Sequence, residues 1–342
     1  MRILITGHKG YIGPVMVRML LAEGHELVGM DSDLFAECAF NQKVVEIPEL
    51  KKDIRDATLE DFRGMDAVIH LAGISNDPIG NLNPDLTYEI NHRASVRLAA
   101  LAKEAGCSRF LFSSSCSTYG AAGEDALTEQ ATFNPVTPYG HSKVLVEQDV
   151  TKLAGRGFSP IFLRNATAYG VSPQLRFDLV INNLVAYAYT SKQVLMKSDG
   201  TPWRPVVHIE DISRAFIAAL VAPLKLVHNQ VFNVGRNEEN YRIRDLAEIV
   251  AGVVPGCEVK YDENAGPDKR TYRVNFDKIR QTIPGFQPEW DARRGALELL
   301  TAYRKANLTW EQFESIHFKR IDYIKQLIAT RQLGADLRWS RN

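Results

Sequence analysis

The chain has 342 residues, 45% hydrophobic and 24% charged, which excludes a disordered or fibrous protein and allows a large core. Its 41 Lys and Arg balance 41 Asp and Glu, so no overall field recruits nucleic acid or anionic lipid, and an anionic ligand must be held locally. The four cysteines (Cys38, Cys107, Cys116, Cys257) are far apart with no C-x-x-C spacing; reduced thiols are expected, with no metal site.

An apolar run over residues 2–6 leads into glycines and a helical pattern from Tyr11 to about Glu23. The first strand leaves no room for a leader peptide, and no apolar run approaches the ~18 residues of a membrane span, so a cytoplasmic chain with no membrane partner is expected. A second strand covers Glu26–Met30 and ends at Asp31. Strands at 43–47, 67–71, 109–113 and 159–163 follow, with helices near 58–63, 84–105 and 138–155 between them. Strands alternating with helices predict right-handed βαβ units and a Rossmann-type, doubly wound parallel sheet of the α/β class. Beyond about residue 165, loops at 171–176, 198–206 and 262–268 alternate with helices near 178–191, 211–222 and 243–251. This predicts a smaller C-terminal lobe over the carboxyl ends of the strands, where such sheets bind ligands. The tail from Leu308 has a capped start (Thr309, Glu311, Gln312) and a helical stretch closed by Gly334. Its basic residues Lys319, Arg320, Lys325 and Arg331 are expected on a solvated face.

The stretch Thr6-Gly7-His8-Lys9-Gly10-Tyr11-Ile12-Gly13 places three glycines between a strand and a helix. Missing side chains there let backbone turn tightly and approach a pyrophosphate, which the helix N-terminus then faces. Asp31, at the end of the second strand, can accept from an adenosine ribose 2′-OH and would repel a 2′-phosphate. No Arg or Lys follows it before Lys43, so NAD is favoured over NADP. The plainer reading of Asp31 is a turn or cap carboxylate. Asp53-Ile54 and Leu71-Ala72-Gly73 follow later strands; the first can meet the adenine amino group, and the small residues of the second let backbone approach the cofactor.

Tyr139-Gly140-His141-Ser142-Lys143 puts a phenol and an ammonium four apart on one helical face. A phenol is a poor base at neutral pH, and a nearby ammonium favours its ionised form. Lys143 can also hold ribose hydroxyls. The run Phe112-Ser113-Ser114-Ser115-Cys116-Ser117-Thr118-Tyr119-Gly120 follows an apolar strand and so sets hydroxyls at its carboxyl end. Taken alone, Tyr-x-x-x-Lys is more often a surface helix pair.

Over residues 1–300 the chain resembles the extended short-chain dehydrogenases/reductases, in particular the NAD-dependent sugar-nucleotide epimerases and dehydratases. The motifs TGHKGYIG, DIRD, HLAG, SSSCSTYG and YGHSK come in that family's order. The resemblance implies Ser115, Tyr139 and Lys143 as catalytic residues. It places Gly7, Gly10, Tyr11, Ile12, Gly13, Asp31, Asp53, Ile54, Leu71, Ala72, Gly73, Asn91 and Ser113 at the cofactor, with Tyr139 and Lys143. Substrate contacts are expected from Ser115, Ser117, Asn165, Asn183 (within Asn182-Asn183-Leu184), Arg204 and Arg270. Residues 1–165, with returning segments near 205–235, would form the NAD-binding domain, and 166–342 mainly the substrate-binding lobe and helical tail. Helices near 84–105 and 138–155 resemble those through which the family forms homodimers.

The family's 4,6-dehydratases carry Asp-Glu where this chain has Cys116-Ser117, and its decarboxylases place Glu at Ser117. Members that epimerise at C3 and C5 use Cys at Ser117, whereas strand-like alternation would point Cys116 the other way. What remains is a site for hydride transfer at C4. The expected function is NAD-dependent C4 epimerisation of a nucleotide-diphosphate sugar. The alternatives are a 4-ketosugar reductase or dehydrogenase, a 3,5-epimerase, and a non-catalytic NAD-binding sensor. The departures lie in the second lobe: Pro205 follows Arg204, Thr167 replaces an Asn, and Ala265-Gly266-Pro267-Asp268 leaves Arg270 or Arg273 as the later phosphate arginine.

Overall fold

A computed structural model describes residues 1–40, 44–75, 77–120, 125–266 and 271–340. Seven parallel strands form the central sheet: β1 (Arg2–Thr6), β2 (Glu26–Asp31), β3 (Glu49–Lys51), β4 (Ala67–His70), β5 (Arg109–Ser115), β6 (Ser159–Asn165) and β7 (Gln230–Val234). Their order across the sheet is β3-β2-β1-β4-β5-β6-β7. The chain turns back between β1 and β4, and there the carboxyl ends of the strands open a crevice.

The strands read as apolar runs because both faces of the sheet are covered. On β1, Ile3 and Ile5 face one layer with Met16 and Leu20 of helix α1 (Gly13–Ala22). Leu4 faces the other, with Leu98 and Ala102 of α2 (Ala94–Glu104) and Val146 and Val150 of α3 (Pro138–Val150). Helices α4 (Val180–Ser191), α6 (Ile243–Ala251) and α7 (Ala292–Lys305) build a second core beyond the carboxyl ends of the strands. Helix α5 (Ile209–Val221) and β7 return to the sheet.

Several expected boundaries differ. The third strand lies at Glu49–Lys51 and not at 43–47, because β2 leaves only Gly29–Asp31 to pair with it. The helix expected over 84–105 is interrupted by a π turn at Glu89–Arg93, an inserted residue that apolar periodicity does not reveal. The loop expected at 198–206 is largely strand, Trp203–His208, and the one at 262–268 lies partly in the strand Glu258–Gly266. The tail helix α8 (Arg320–Ala329) ends before Gly334. Among the described residues, no helix is long and apolar enough to cross a membrane.

One buried ion pair ties α3 to the sheet. Arg164 of β6 donates from Nη2 to Glu147 Oε2 at 2.6 Å and from Nε to Oε1 at 3.0 Å, and Ser114 Oγ donates to Glu147 Oε1 at 2.5 Å. Removing one partner leaves a buried charge, so Glu147→Ala should cost about 3–5 kcal/mol in urea unfolding. Replacing both residues with apolar ones should cost clearly less; equal losses would show that packing, not the stranded charge, dominates.

Candidate active site

The crevice is a cleft of about 1260 Å³ running from the glycine loop to the second lobe. Single-ligand pockets usually hold roughly 300–1,000 Å³, so this one has room for a cofactor and a second ligand. Gly7 (φ +75°) lies so close to the end of β4 that a Cβ there would stand 2.6 Å from Ala72 N. A Cβ on Gly13 would stand 2.3 Å from His8 O. With Gly10, Tyr11 and Ile12 they form the lip of the cleft at the start of α1. The Tyr11 ring packs inward, its hydroxyl donating to Gly170 O at 2.7 Å.

Asp31 sits in the cleft wall, held by Lys9 N at 3.0 Å and Asp33 N at 2.9 Å. Burial raises its pKa against the pull of those two amides. Lys9 stands in the same loop, and sequence reading passed it over. Its ammonium pairs with Asp33 at 3.0 Å and Glu49 at 2.8 Å, so the cation nearest Asp31 already has two counter-charges. Asp53 lines the cleft while both its oxygens accept from Arg55; burial opposes ionisation, but those bonds hold its pKa down. Ile54, Leu71, Ala72, Gly73 and Ser113 also line the cleft. Asn91 does not. It is buried in the π turn, where Oδ1 accepts from Ile74 N at 2.7 Å and Nδ2 donates to Ile74 O at 2.9 Å, bracing the loop after Gly73. The glycine cradle, the Asp31 carboxylate and the helix start together fit a dinucleotide.

Ser115, Ser117, Tyr139 and Lys143 all line the cleft. Thr137 caps α3 by accepting from Gly140 N at 3.1 Å, which fixes Tyr139 in the first turn with Lys143 one turn behind. The Lys143 ammonium is buried, 4.5 Å from the Phe112 ring centroid and 5.4 Å from that of Tyr139, and donates to Ser113 O at 2.7 Å. Burial pushes its pKa down to about 7, with Glu147 pulling the other way. Ser115 Oγ accepts from Ser117 N at 3.1 Å and starts the short turn Cys116–Tyr119. That turn sends Cys116 into the core, where Sγ donates to Arg164 O at 3.2 Å and burial raises its pKa.

Asn165 lines the cleft with Nδ2 donating to Ser113 Oγ at 3.1 Å. Among the described residues, Asn165 Oδ1 and Ser117 Oγ are buried without a partner. On the second lobe, Asn183, Leu184, Thr167 and Arg204 reach the cleft, while Asn182 is a strut from Gly170 N to Tyr11 OH. Arg273 packs over Trp203 at 4.8 Å, outside the cleft wall, and Arg270 lies outside the described residues.

Two buried arginines that sequence reading missed also line the cleft. Arg176 donates to Ser75 Oγ at 2.9 Å and pairs with Asp178 at 2.7 Å. A charge inside the apolar Leu175-Arg176-Phe177 was the available signal. Arg320 was expected on a solvated face with Lys319, Lys325 and Arg331; those three are exposed, but Arg320 is 8% exposed. It is the first residue of α8, and the apolar stripe that buries the helix takes Arg320 in with Tyr323, Ile324 and Leu327.

The buried ammonium has a measurable consequence. Between the folded pKa of about 7 and the ordinary 10.5, the unfolded chain binds more protons than the folded one. Stability of the NAD-free protein should therefore rise from pH 7 toward pH 10, relative to Lys143→Met, by about 1 kcal/mol per pH unit. Parallel pH profiles in urea unfolding would contradict this.

Residues 3–235 match the model of the NAD dependent epimerase/dehydratase family. A UDP-glucose 4-epimerase of Lactobacillus helveticus is 28% identical over 316 residues, covering 84% of this chain and 92% of its own. Among solved structures, an NAD-dependent NDP-hexosamine 5,6-dehydratase, TunA, superposes with a TM-score of 0.78 at 24% identity, over 89% of this chain and 98% of its own. MoeE5 in complex with UDP-glucuronic acid and NAD gives 0.77 at 24% identity, over 90% and 100%. With its glycine cradle and Ser-Tyr-Lys cluster in one cleft, this chain belongs to the NAD dependent epimerase/dehydratase family and is an NAD-dependent enzyme.

Proposed function

We propose that the protein epimerises a nucleotide-diphosphate sugar at C4. The observation that carries this is subtractive. Ser115, Tyr139 and Lys143 share the cleft, and among the described residues no carboxylate lining it belongs to the segments that carry them. The acidic residues lining the cleft, among those described, are Asp31, Asp33 and Asp53 at the glycine-loop end and Asp178 bound to Arg176. Dehydration or decarboxylation needs an additional acid/base group near C5 or C6. A thiol route has no agent either, since Cys116 points into the core. Relatives at 26–29% identity that are named UDP-glucose 4-epimerase support the same reading.

Bound NAD supplies a hydride acceptor and returns the hydride. The chain's own part is proton handling and orientation. Tyr139 takes the C4 hydroxyl proton, and Ser115 Oγ donates to the oxygen as it becomes a carbonyl. Lys143, costly to keep charged beside Phe112, is stabilised when Tyr139 ionises, so ammonium and phenolate favour each other. Epimerisation would require the 4-keto sugar to turn over within the cleft. Asn183 and Arg204 hold the nucleotide diphosphate on the second lobe.

Tyr139→Phe should bind cofactor and substrate normally but lose at least about 100-fold in turnover. The wild type should interconvert C4 epimers from a panel of UDP-, dTDP-, GDP- and CDP-sugars with no net absorbance change at the NADH band. Steady one-to-one use of NADH against a 4-keto sugar, without epimer interconversion, would replace this reading with a reductase.

Asp31 sets cofactor choice in the same scheme. Wild type should favour NAD over NADP by about tenfold or more, since a 2′-phosphate would meet a carboxylate. Asp31→Ser combined with Ser32→Arg should reverse that order in fluorescence titrations. Equal binding of both cofactors by the wild type would overturn the role given to Asp31.

A further inference from the structure

Residues 309–340 lie beyond the family match and do not stay on the second lobe. The segment leaves α7 through a capping box, Thr309 with Gln312, and packs Phe313 and Phe318 on Phe177 at 5.2 and 4.8 Å between ring centroids. Helix α8 then buries Tyr323, Ile324 and Leu327 with Cys38, Ile79 and Leu86 of the nucleotide-binding half. Past α8, Leu337 enters the cleft wall, Trp339 Nε1 donates to Ser32 O at 2.7 Å, and the Arg338 guanidinium pairs with Asp56. The segment thus crosses from the second lobe to the carboxyl end of β2, one residue from Asp31.

At the point of crossing it presents Arg320 to the cleft. The guanidinium lies 4.4 Å over the Phe35 ring, and Nη2 donates to Gln174 O at 3.2 Å. Nε is buried with no partner, and no carboxylate among the described residues forms an ion pair with it. Arg176, its cationic neighbour, opposes its charge, and the Asp178 carboxylate paired with Arg176 offsets that in part. Burying a cation with no ion-pair partner of its own is costly, and an arriving anion would relieve that cost. Tyr11 of the glycine loop and Phe35 line the same cleft as Arg320.

We propose that Arg320 is a diphosphate-binding residue of the NAD site, and that the segment 309–340 is a strap that closes the adenosine half of the cofactor against the glycine loop. A diphosphate on the glycine loop has its inner oxygens met by backbone N–H groups at the start of α1 and its outer face toward solvent. Arg320 supplies the missing counter-charge on that outer face, with a planar donor set suited to phosphate oxygens. The nucleotide sugar also carries a diphosphate, and the assignment to NAD rests on Phe35, the residue of the loop after Asp31 on which Arg320 packs, and on the anchoring of the strap at Ser32. It rests on NAD as the cofactor and not on the C4 reaction.

The test is binding, read without turnover. NADH fluorescence titration of stripped protein should show Arg320→Gln weakened about tenfold or more, and Arg320→Lys only a few-fold. UDP affinity, measured with saturating NAD, should stay within twofold. Without ligand, Arg320→Gln should melt no lower than wild type, because a buried unpaired cation is removed, while its stabilisation by NAD should shrink. Trp339→Ala, which frees the end of the strap far from the diphosphate, should release NADH several-fold faster. NADH affinity of Arg320→Gln within twofold of wild type would overturn the proposal. So would UDP binding weakened with NADH unchanged, which would hand the guanidinium to the sugar nucleotide. Should Arg320→Gln fail to fold, an unchanged release rate in Trp339→Ala overturns the strap. Failure of the wild type itself to bind NADH would instead undo the cofactor reading beneath it.

Discussion

The ammonium of Lys143 is the constraint around which the site is organised. A lysine at this depth is held against its preference for water, between the Phe112 ring and the Ser113 carbonyl. Glu147, one turn further along α3 and locked by Arg164 of β6 and Ser114 of β5, favours the charge from a distance. Arg164 reaches on to Tyr119 OH at 2.8 Å, and Tyr119 OH donates to Asn233 of β7 at 2.7 Å. Three adjacent strands and one helix are thus joined through a network in which every charge has a partner except the one that faces the cleft. In the proposed reaction that charge would favour ionisation of Tyr139, whose ring centroid lies 5.4 Å from the ammonium.

The same logic of paired and unpaired charge divides the two ends of the cleft. At the Asp31 end, Lys9 is matched by Asp33 and Glu49, so the wall there is acidic or neutral and suits ribose hydroxyls. Further in lie Arg176, Arg204 and Arg320, all buried, in a protein whose overall charge is zero. A chain with no net field can still hold anions, because burial concentrates a few guanidiniums where water does not screen them.

This division also explains what the sequence made legible. The glycine loop, Asp31, the serine run and Tyr139 with Lys143 could be read because each is a local pattern, fixed by a strand end or one helical turn. Asn91 could be seen as special but not placed, since a π turn rotates it away from the cleft to brace Ile74. The third strand was misplaced because its position depends on how much of β2 remains to pair, which is a property of the sheet. Arg176 and Arg320 were missed for a different reason. They reach the cleft only through contacts across 101 and 146 positions, to Ser75 and Gln174. An arginine at the start of an amphipathic helix looks solvated until one knows what the helix lies against.

What the tail helix lies against bears on the chemistry. A dehydrogenase gains by exchanging its cofactor after each turnover, whereas an epimerase that loses reduced cofactor between hydride transfers strands a keto sugar. Selection on the second kind of enzyme therefore acts on the release rate of the nucleotide, which depends on contacts broken on leaving. The glycine loop alone contacts a dinucleotide from one side. The proposed strap, anchored by aromatic packing on the second lobe and by Trp339 at Ser32, would meet it from the other, so that release would require an anchor to open. On that proposal retention would come from chain outside the Ser115, Tyr139 and Lys143 cluster, which could then remain as spare as it is.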